Sequence, residues 1–380
     1  MNRITRWLGA GLLVFLALAL VAGCEKKKDV IKLGVAGPIT GPYAKFGEQL
    51  TRGANAAAEA INKAGGINGR TVQIVPGDDA CDAKQARAVA NQLVNDGVYG
   101  VAGHFCSSST IPASEVYNEA NILMITPAST NPQVTDRNLP AVFRTCGRDD
   151  QQGDVAGDFI AKKLGAKRVA VIHDKDTYGQ GLADATKNRL HQNGLTEVLY
   201  EGITRGDKDF NSLVTKMKGL KVDTIYFGGL HTEAGLIARQ ANEQGLKATF
   251  ISGDGIVTEE FPNIAGPATE GVLMSFGADP RSIPEAADAV KAFRDAKYEP
   301  EAYTLYAFAA IQSIAAALQA NDVSKDGKKL AAWLKANSVQ TVMGKKEWDS
   351  KGDLKVSDYV MYKWSKGADG KFNYTELPLK

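Results

Sequence analysis

Tyr99-Gly-Val-Ala102 followed by Gly103-His104-Phe105-Cys106-Ser107-Ser108-Ser109-Thr110 decides the fold. A short apolar run of strand length breaks at a glycine, passes four consecutive hydroxyl side chains and enters a helix-like stretch, Ile111 to Ala120. A helix start presents backbone N–H groups without intrahelical partners and the positive end of the helix dipole, so hydroxyls placed there make a seat for a carboxylate or phosphate. Serine and threonine are also ordinary N-cap residues, and on their own these four do not require a ligand. A second apolar run, Ile122-Leu-Met-Ile125, ends in Thr126-Pro127-Ala128-Ser129-Thr130, so two strand ends face one crevice.

Working outward, strand-length apolar runs alternate with helical patterns. Before the serine turn come Ile31 to Ala36, a helix Ala44 to Lys63, Val72 to Val75 and a helix Asp82 to Asn95. A second series starts after Arg144-Thr-Cys-Gly147. It runs through helix Asp149 to Leu164, strand Arg168 to His173, helix Gly179 to Asn193, strand Glu197 to Ile203, helix Asp209 to Lys218, strand Asp223 to Phe227, helix Thr232 to Gln244 and strand Thr249 to Ser252. Such alternation predicts right-handed βαβ units on parallel sheets, hence an α/β protein of two doubly wound lobes in tandem. Gly271 to Phe276, three helical patterns (Glu285 to Ala296, Ala302 to Ala320, Lys325 to Ala336) and a β-like tail at Tyr359 to Trp364 and Phe372 to Tyr374 complete the chain. The alanine-rich Ala302 to Ala320 reads as a packing helix.

The first residues carry Arg3 and Arg6, then an apolar stretch Leu8 to Val21 ending in Val21-Ala22-Gly23-Cys24. That is a secretory leader with a lipoprotein cleavage box: residues 1–23 are removed, Cys24 takes the lipid, and 24–30 with Lys26-Lys27-Lys28 form a tether. The apolar core is well short of the roughly 20 residues a membrane span needs. Without its leader the chain holds 43 basic and 43 acidic side chains, so no bulk attraction to nucleic acid arises. Beyond Cys24 only Cys81, Cys106 and Cys146 remain. Cys81 and Cys106 each follow an apolar run and are expected to be bridged, with Cys146 a buried, inert thiol.

No intact enzyme signature occurs. Gly179-Gln180-Gly181-Leu182-Ala183-Asp184 lies too far beyond its strand, and Asp184 replaces a small residue, so it is not a dinucleotide fingerprint. GxxxxGK[ST], HExxH and GxSxG are absent. The four histidines, His104, His173, His191 and His231, have no metal-ligand spacing, and His104 reads as structural despite its nearness to Ser107. The expectation is a non-enzyme with no cofactor and no metal.

In open α/β sheets ligands sit beyond the carboxyl ends of the strands, which selects Phe46, Ser107, Ala128 and Thr130 in the first lobe and Tyr178, Leu230 and Asp254 in the second. Ser107, with Ser108 and the N–H groups of the turn, suits a carboxylate. The Thr130 hydroxyl, the Ala128 carbonyl and the Asp254 carboxylate suit an ammonium. Phe46, Phe105, Tyr178 and Leu230 supply the apolar wall. Both charges of an amino acid backbone are thereby matched.

These residues resemble the leucine/isoleucine/valine-binding proteins of bacterial ABC importers, type I periplasmic binding proteins. The resemblance rests on Gly65-Gly66-Ile67-Asn68-Gly69, Asp78-Asp79-Ala80-Cys81-Asp82, Gly103 to Thr110, Leu123 to Ala128, His173-Asp174-Lys175 with Tyr178-Gly179, and Lys335 to Ser338 with Thr341 to Gly344. It implies lobe 1 over 31–146 plus 278–356 and lobe 2 over 147–277 plus 357–380, hinged near Thr145 to Asp149, Ser275 to Asp279 and Lys355 to Asp358. It also implies a monomer that captures an aliphatic amino acid, leucine, isoleucine or valine, and delivers it to an importer permease from a periplasmic or cell-surface, lipid-anchored position; the alternative is the same fold binding another amino acid, an amide or a small aromatic acid, or acting as a ligand sensor. Three positions depart from the family pattern. Asp254 stands where glutamate is common, Phe46 where a tyrosine or tryptophan caps the side chain, and Leu230 where a tyrosine is common.

Overall fold

The computed structural model describes residues 30–378; the leader, Cys24 and the lysine tether lie outside the described residues. Strands β1 (Ile31–Gly37), β2 (Val72–Asp78), β3 (Gly100–Ala102), β4 (Leu123–Thr126) and β5 (Val142–Arg144) form one parallel sheet in the order β2-β1-β3-β4-β5. β3, β4 and β5 are buried at every position. Helices on both faces dictate this, which is why such strands read as unbroken apolar runs rather than alternating ones. β2 pairs only with β1, and Pro76 is tolerated there because an edge strand needs no N–H on its free side.

A second sheet gathers β6 (Val169–His173), β7 (Leu199–Gly202), β8 (Thr224–Gly228), β9 (Thr249–Ser252) and β10 (Leu273–Gly277), parallel in the order β10-β9-β8-β6-β7. The β-like tail is part of it. β13 (Tyr359–Lys366) runs antiparallel along β10 and carries β14 (Phe372–Glu376) outside it. β11 (Val339–Thr341) and β12 (Gly344–Lys346) form a separate hairpin. In each sheet the first strand, β1 or β6, is flanked by the next two in sequence. Strand order therefore reverses there, opening a crevice beyond the strands' carboxyl ends.

The chain crosses between the sheets three times: from β5 into helix Asp149–Asp158, from β10 to helix Ala302–Ala320, and from β12 to β13. Helix Ala302–Ala320 packs along helix Ala44–Lys63 of the first lobe. Its buried residues run around most of its circumference, as expected of a helix enclosed by protein.

Three local features differ from the sequence reading. The helix after β3 starts at Ser107, not Ile111, so all four hydroxyls lie in its first turn. β5 was not expected, because a three-residue run ending in Arg144 carries too little apolar signal. The β11–β12 hairpin was missed for the same reason. Cys81 and Cys106 are disulfide-bonded with their Cα atoms 5.5 Å apart. Closing that loop stabilises the fold by about 3 kcal/mol in the chain-entropy picture and ties the turn after β2 to the serine helix.

Candidate functional site

The two polar turns of the first lobe are stitched to each other. The Thr126 hydroxyl donates to the His104 carbonyl at 2.7 Å and accepts from the Ser129 amide at 2.9 Å. The Ser129 hydroxyl donates to the Phe105 carbonyl at 2.8 Å and lies 2.5 Å from the Thr110 hydroxyl. His104 is wholly buried between Asp79 (2.6 Å) and the Tyr117 hydroxyl (3.0 Å), a structural placement. Cys146 is a buried free thiol whose pKa burial pushes up to about 12, which makes it unreactive.

Facing these turns, the second lobe presents Tyr178 in the first turn of helix Thr177–Gln192, Leu230 as N-cap of helix His231–Glu243, and Asp254 just past β9. A narrow cavity between the lobes is lined from the first by Phe105, Ser107 and Ala128 and from the second by Tyr178, Leu230 and Asp254. A second narrow cavity shares Asp254 with it and is lined by Thr130 together with Tyr303, Tyr306 and Tyr359. Phe46 lines neither cavity: its ring stacks on Phe105 with centroids 4.4 Å apart and is fully buried. Ser108, one residue along the helix, lines neither cavity, and its hydroxyl oxygen is buried without a partner. A larger groove outside the crevice is lined by Lys45, Glu259, Arg281 and Glu299, whose charges already pair with one another across it.

The lobes are closed upon each other. Asn131 Nδ2 donates to the Thr177 carbonyl at 2.8 Å, Lys45 pairs with Glu259 at 2.6 Å, and the Tyr303 hydroxyl donates to Asp254. Gly181, noted in the sequence for a motif it fails to complete, has its reason here. A Cβ at that position would sit 2.5 Å from Asn131 Nδ2, so glycine lets the first-lobe turn dock on the helix.

A family model described as periplasmic binding protein matches residues 30–371. The chain belongs to that family. An amino acid binding protein of Pseudomonas aeruginosa is 62% identical over 353 residues, covering 92% of this chain and 93% of its own. A Leu/Ile/Val-binding protein homolog 1 of Brucella suis is 53% identical over 364 residues, covering 96% and 98%. Among solved structures, the branched-chain amino acid transporter substrate binding protein LivJ of Streptococcus pneumoniae, in complex with isoleucine, has a TM-score of 0.82 at 26% identity, covering 92% of this chain and 99% of its own. The resemblance read from the motifs therefore holds at the level of family and fold. Members of this family are substrate-binding proteins of transporters rather than enzymes.

In this periplasmic binding protein Asp254 is the electrostatic centre of the crevice. Tyr178 donates to its Oδ1 at 2.8 Å and Tyr303 to its Oδ2. Burial raises the Asp254 carboxyl above the usual range, against the lowering effect of the two tyrosine hydroxyls. Each carboxylate oxygen keeps a further lone pair, so an ammonium can still be accepted. Tyr303 was not found from the sequence, because its helix was assigned to packing alone. The available signal was a pair of tyrosines, Tyr303 and Tyr306, in the first turns of an otherwise alanine-rich helix.

Closure also buries His231 of the second lobe against the Tyr43 and Phe46 rings of the first, with centroids 6.0 and 5.2 Å away. Burial lowers its imidazole from 6.5 to about 4, with the Pro42 carbonyl acting weakly the other way. The folded form thus binds fewer protons than the unfolded one between these values. Its contribution is full above pH 6.5 and is lost as pH falls toward 4, amounting to about 3 kcal/mol. Urea midpoints of the wild type at pH 7 and pH 4.5 are expected to differ by more than those of His231→Phe. Equal differences in the two proteins would refute the assignment.

Proposed function

We propose that the protein captures a branched-chain amino acid, leucine, isoleucine or valine, by lobe closure and presents it to the permease of an ABC importer, acting as a monomer held to the membrane by a lipid on Cys24. One observation carries this reading. Ser107 and Thr130 from one lobe and Asp254 from the other meet around adjoining cavities that share Asp254, the first of them walled by Phe105 and Leu230 beside Tyr178. The first turn of helix Ser107–Glu119 supplies donors and a positive dipole end for the carboxylate. Thr130, the Ala128 carbonyl and Asp254 accept from the ammonium, and the side chain lies against Phe105 and Leu230. The names of the Brucella relative and of the LivJ structure, which holds isoleucine, support the same ligand class.

Charge-assisted hydrogen bonds at roughly 1.5 to 3 kcal/mol each, together with a buried aliphatic group, yield micromolar or better affinity after the cost of association. Calorimetric titration of the unliganded protein checks this. Leucine, isoleucine and valine are expected to bind, whereas leucinamide and 4-methylpentanoate, each lacking one charge, bind at least a hundredfold more weakly. Binding of 4-hydroxybenzoate with no amino acid bound would reject the reading, because that ligand leaves Asp254 without a cation.

A further inference from the structure

Asp149 opens helix Asp149–Asp158 at the first crossing between the lobes, and its side chain is wholly buried. Neither carboxylate oxygen completes a hydrogen bond with another protein group, and the same holds for the hydroxyl of Thr130. The two are held together by the backbone, the Asp149 amide donating to the Thr130 carbonyl at 2.9 Å. Burial, with the charge of Asp254 adding to it, drives the Asp149 carboxyl well above the usual carboxylate range, against the lowering effect of the neighbouring Thr130 hydroxyl. Arg144 is the nearby guanidinium, but its N–H groups go to the Ser129 and Asn131 carbonyls, the Thr135 hydroxyl and Asp353. Two carboxylates therefore share one dry region with no cation assigned to either, an arrangement that a small ligand's ammonium would complete.

We infer that Asp149 is a positioning residue of the ammonium subsite, its carboxyl oxygen accepting a hydrogen bond donated by the Thr130 hydroxyl so that the oxygen lone pairs of Thr130 face the ligand's ammonium. A hydroxyl both donates and accepts, and which it offers a ligand depends on its other neighbour. Ser107 shows the opposite setting: its oxygen accepts from the Asn131 amide at 3.2 Å, leaving its proton free for a carboxylate. Ser107 as donor and Thr130 as acceptor give the crevice a fixed direction, with the carboxylate at the serine helix and the ammonium toward Asp149 and Asp254.

The inference rests on the amino acid reading above, and its test separates the two. Leucine is titrated calorimetrically into the wild type, Asp149→Asn, Asp149→Ala, Thr130→Val, and each Asp149 variant combined with Thr130→Val, with melting curves to identify the folded variants. Asn keeps the shape and suits a site where burial already favours the neutral acid; Ala serves if the amide is not tolerated. Roughly ten- to hundredfold weaker binding is expected from each single change. A residue acting through the Thr130 hydroxyl loses its effect once that hydroxyl is gone, so the double variants should bind no more weakly than the weaker single one. Affinity within twofold of the wild type for a folded Asp149 variant, or losses that multiply in the double variant, would overturn the role of Asp149 while leaving the functional reading intact. Absence of binding by the wild type to any amino acid would overturn both.

Discussion

Asp254→Asn is expected to lose amino acid binding by about two to three orders of magnitude while the unliganded protein keeps or gains stability. The two halves of this expectation have one cause. Without ligand, the Asp254 carboxyl is buried, raised in pKa and close to the equally buried Asp149, so a neutral amide of the same shape relieves a cost. With ligand, the same carboxylate is the charge that the second lobe places against the ammonium. Removing one partner of a buried charge pair costs about 2 to 5 kcal/mol, which corresponds to the stated loss. Tyr178 keeps an acceptor in the amide oxygen, so Gly255, whose amide donates to the Tyr178 hydroxyl at 2.9 Å, remains in place. Calorimetry and urea denaturation on the same preparation decide it. Unchanged affinity would remove Asp254 from the ammonium site, and a large fall in stability would show that the carboxylate serves the fold instead.

How much of this could be read from the chain follows from how each feature is encoded. The parallel strands were legible because burial on both faces demands unbroken apolar runs, and the long helices because their patterns span several turns. Thr249 to Ser252 and Ala302 to Ala320 match their elements to the residue. β5 was not legible: its three residues hold a charged one, and its place in the sheet is set by tertiary pairing with β4. In the site, Ser107, Ala128 and Asp254 stand at strand ends, where fold topology alone puts ligands. Tyr303 reaches the second cavity from a packing helix, and Asp149 lies buried beside Thr130 at a crossing point. Their convergence depends on how the lobes are set together, which no local pattern records. Phe46 shows the converse, since an aromatic chosen for the wall lies one layer behind Phe105.

The largest effect on the fold is expected at a residue that local pattern did not mark. Arg144 at the end of β5 is wholly buried, and it reaches beneath the turn that carries Thr130. Its Nη1 donates to the Ser129 carbonyl at 2.7 Å, its Nη2 to the Asn131 carbonyl at 3.2 Å and to the Thr135 hydroxyl at 2.8 Å, and its Nε faces Asp353 at 2.7 Å. Carbonyls on either side of Thr130 thus depend on one guanidinium. Arg144→Met keeps the apolar stem but orphans both carbonyls and removes one partner of a buried pair, a loss of about 3 to 5 kcal/mol. The urea midpoint should fall accordingly, and leucine affinity with it, because Thr130 loses the turn that aims it. Asp353→Asn separates the two consequences. Asp353 also pairs with Arg148 at 2.8 Å, and its loss leaves Arg144 bonded to both carbonyls, so stability should drop while affinity stays near that of the wild type. Equal loss of affinity in the two variants would mean that the turn is held by the ion pair as a whole, and an unshifted midpoint in Arg144→Met would mean that the guanidinium holds nothing.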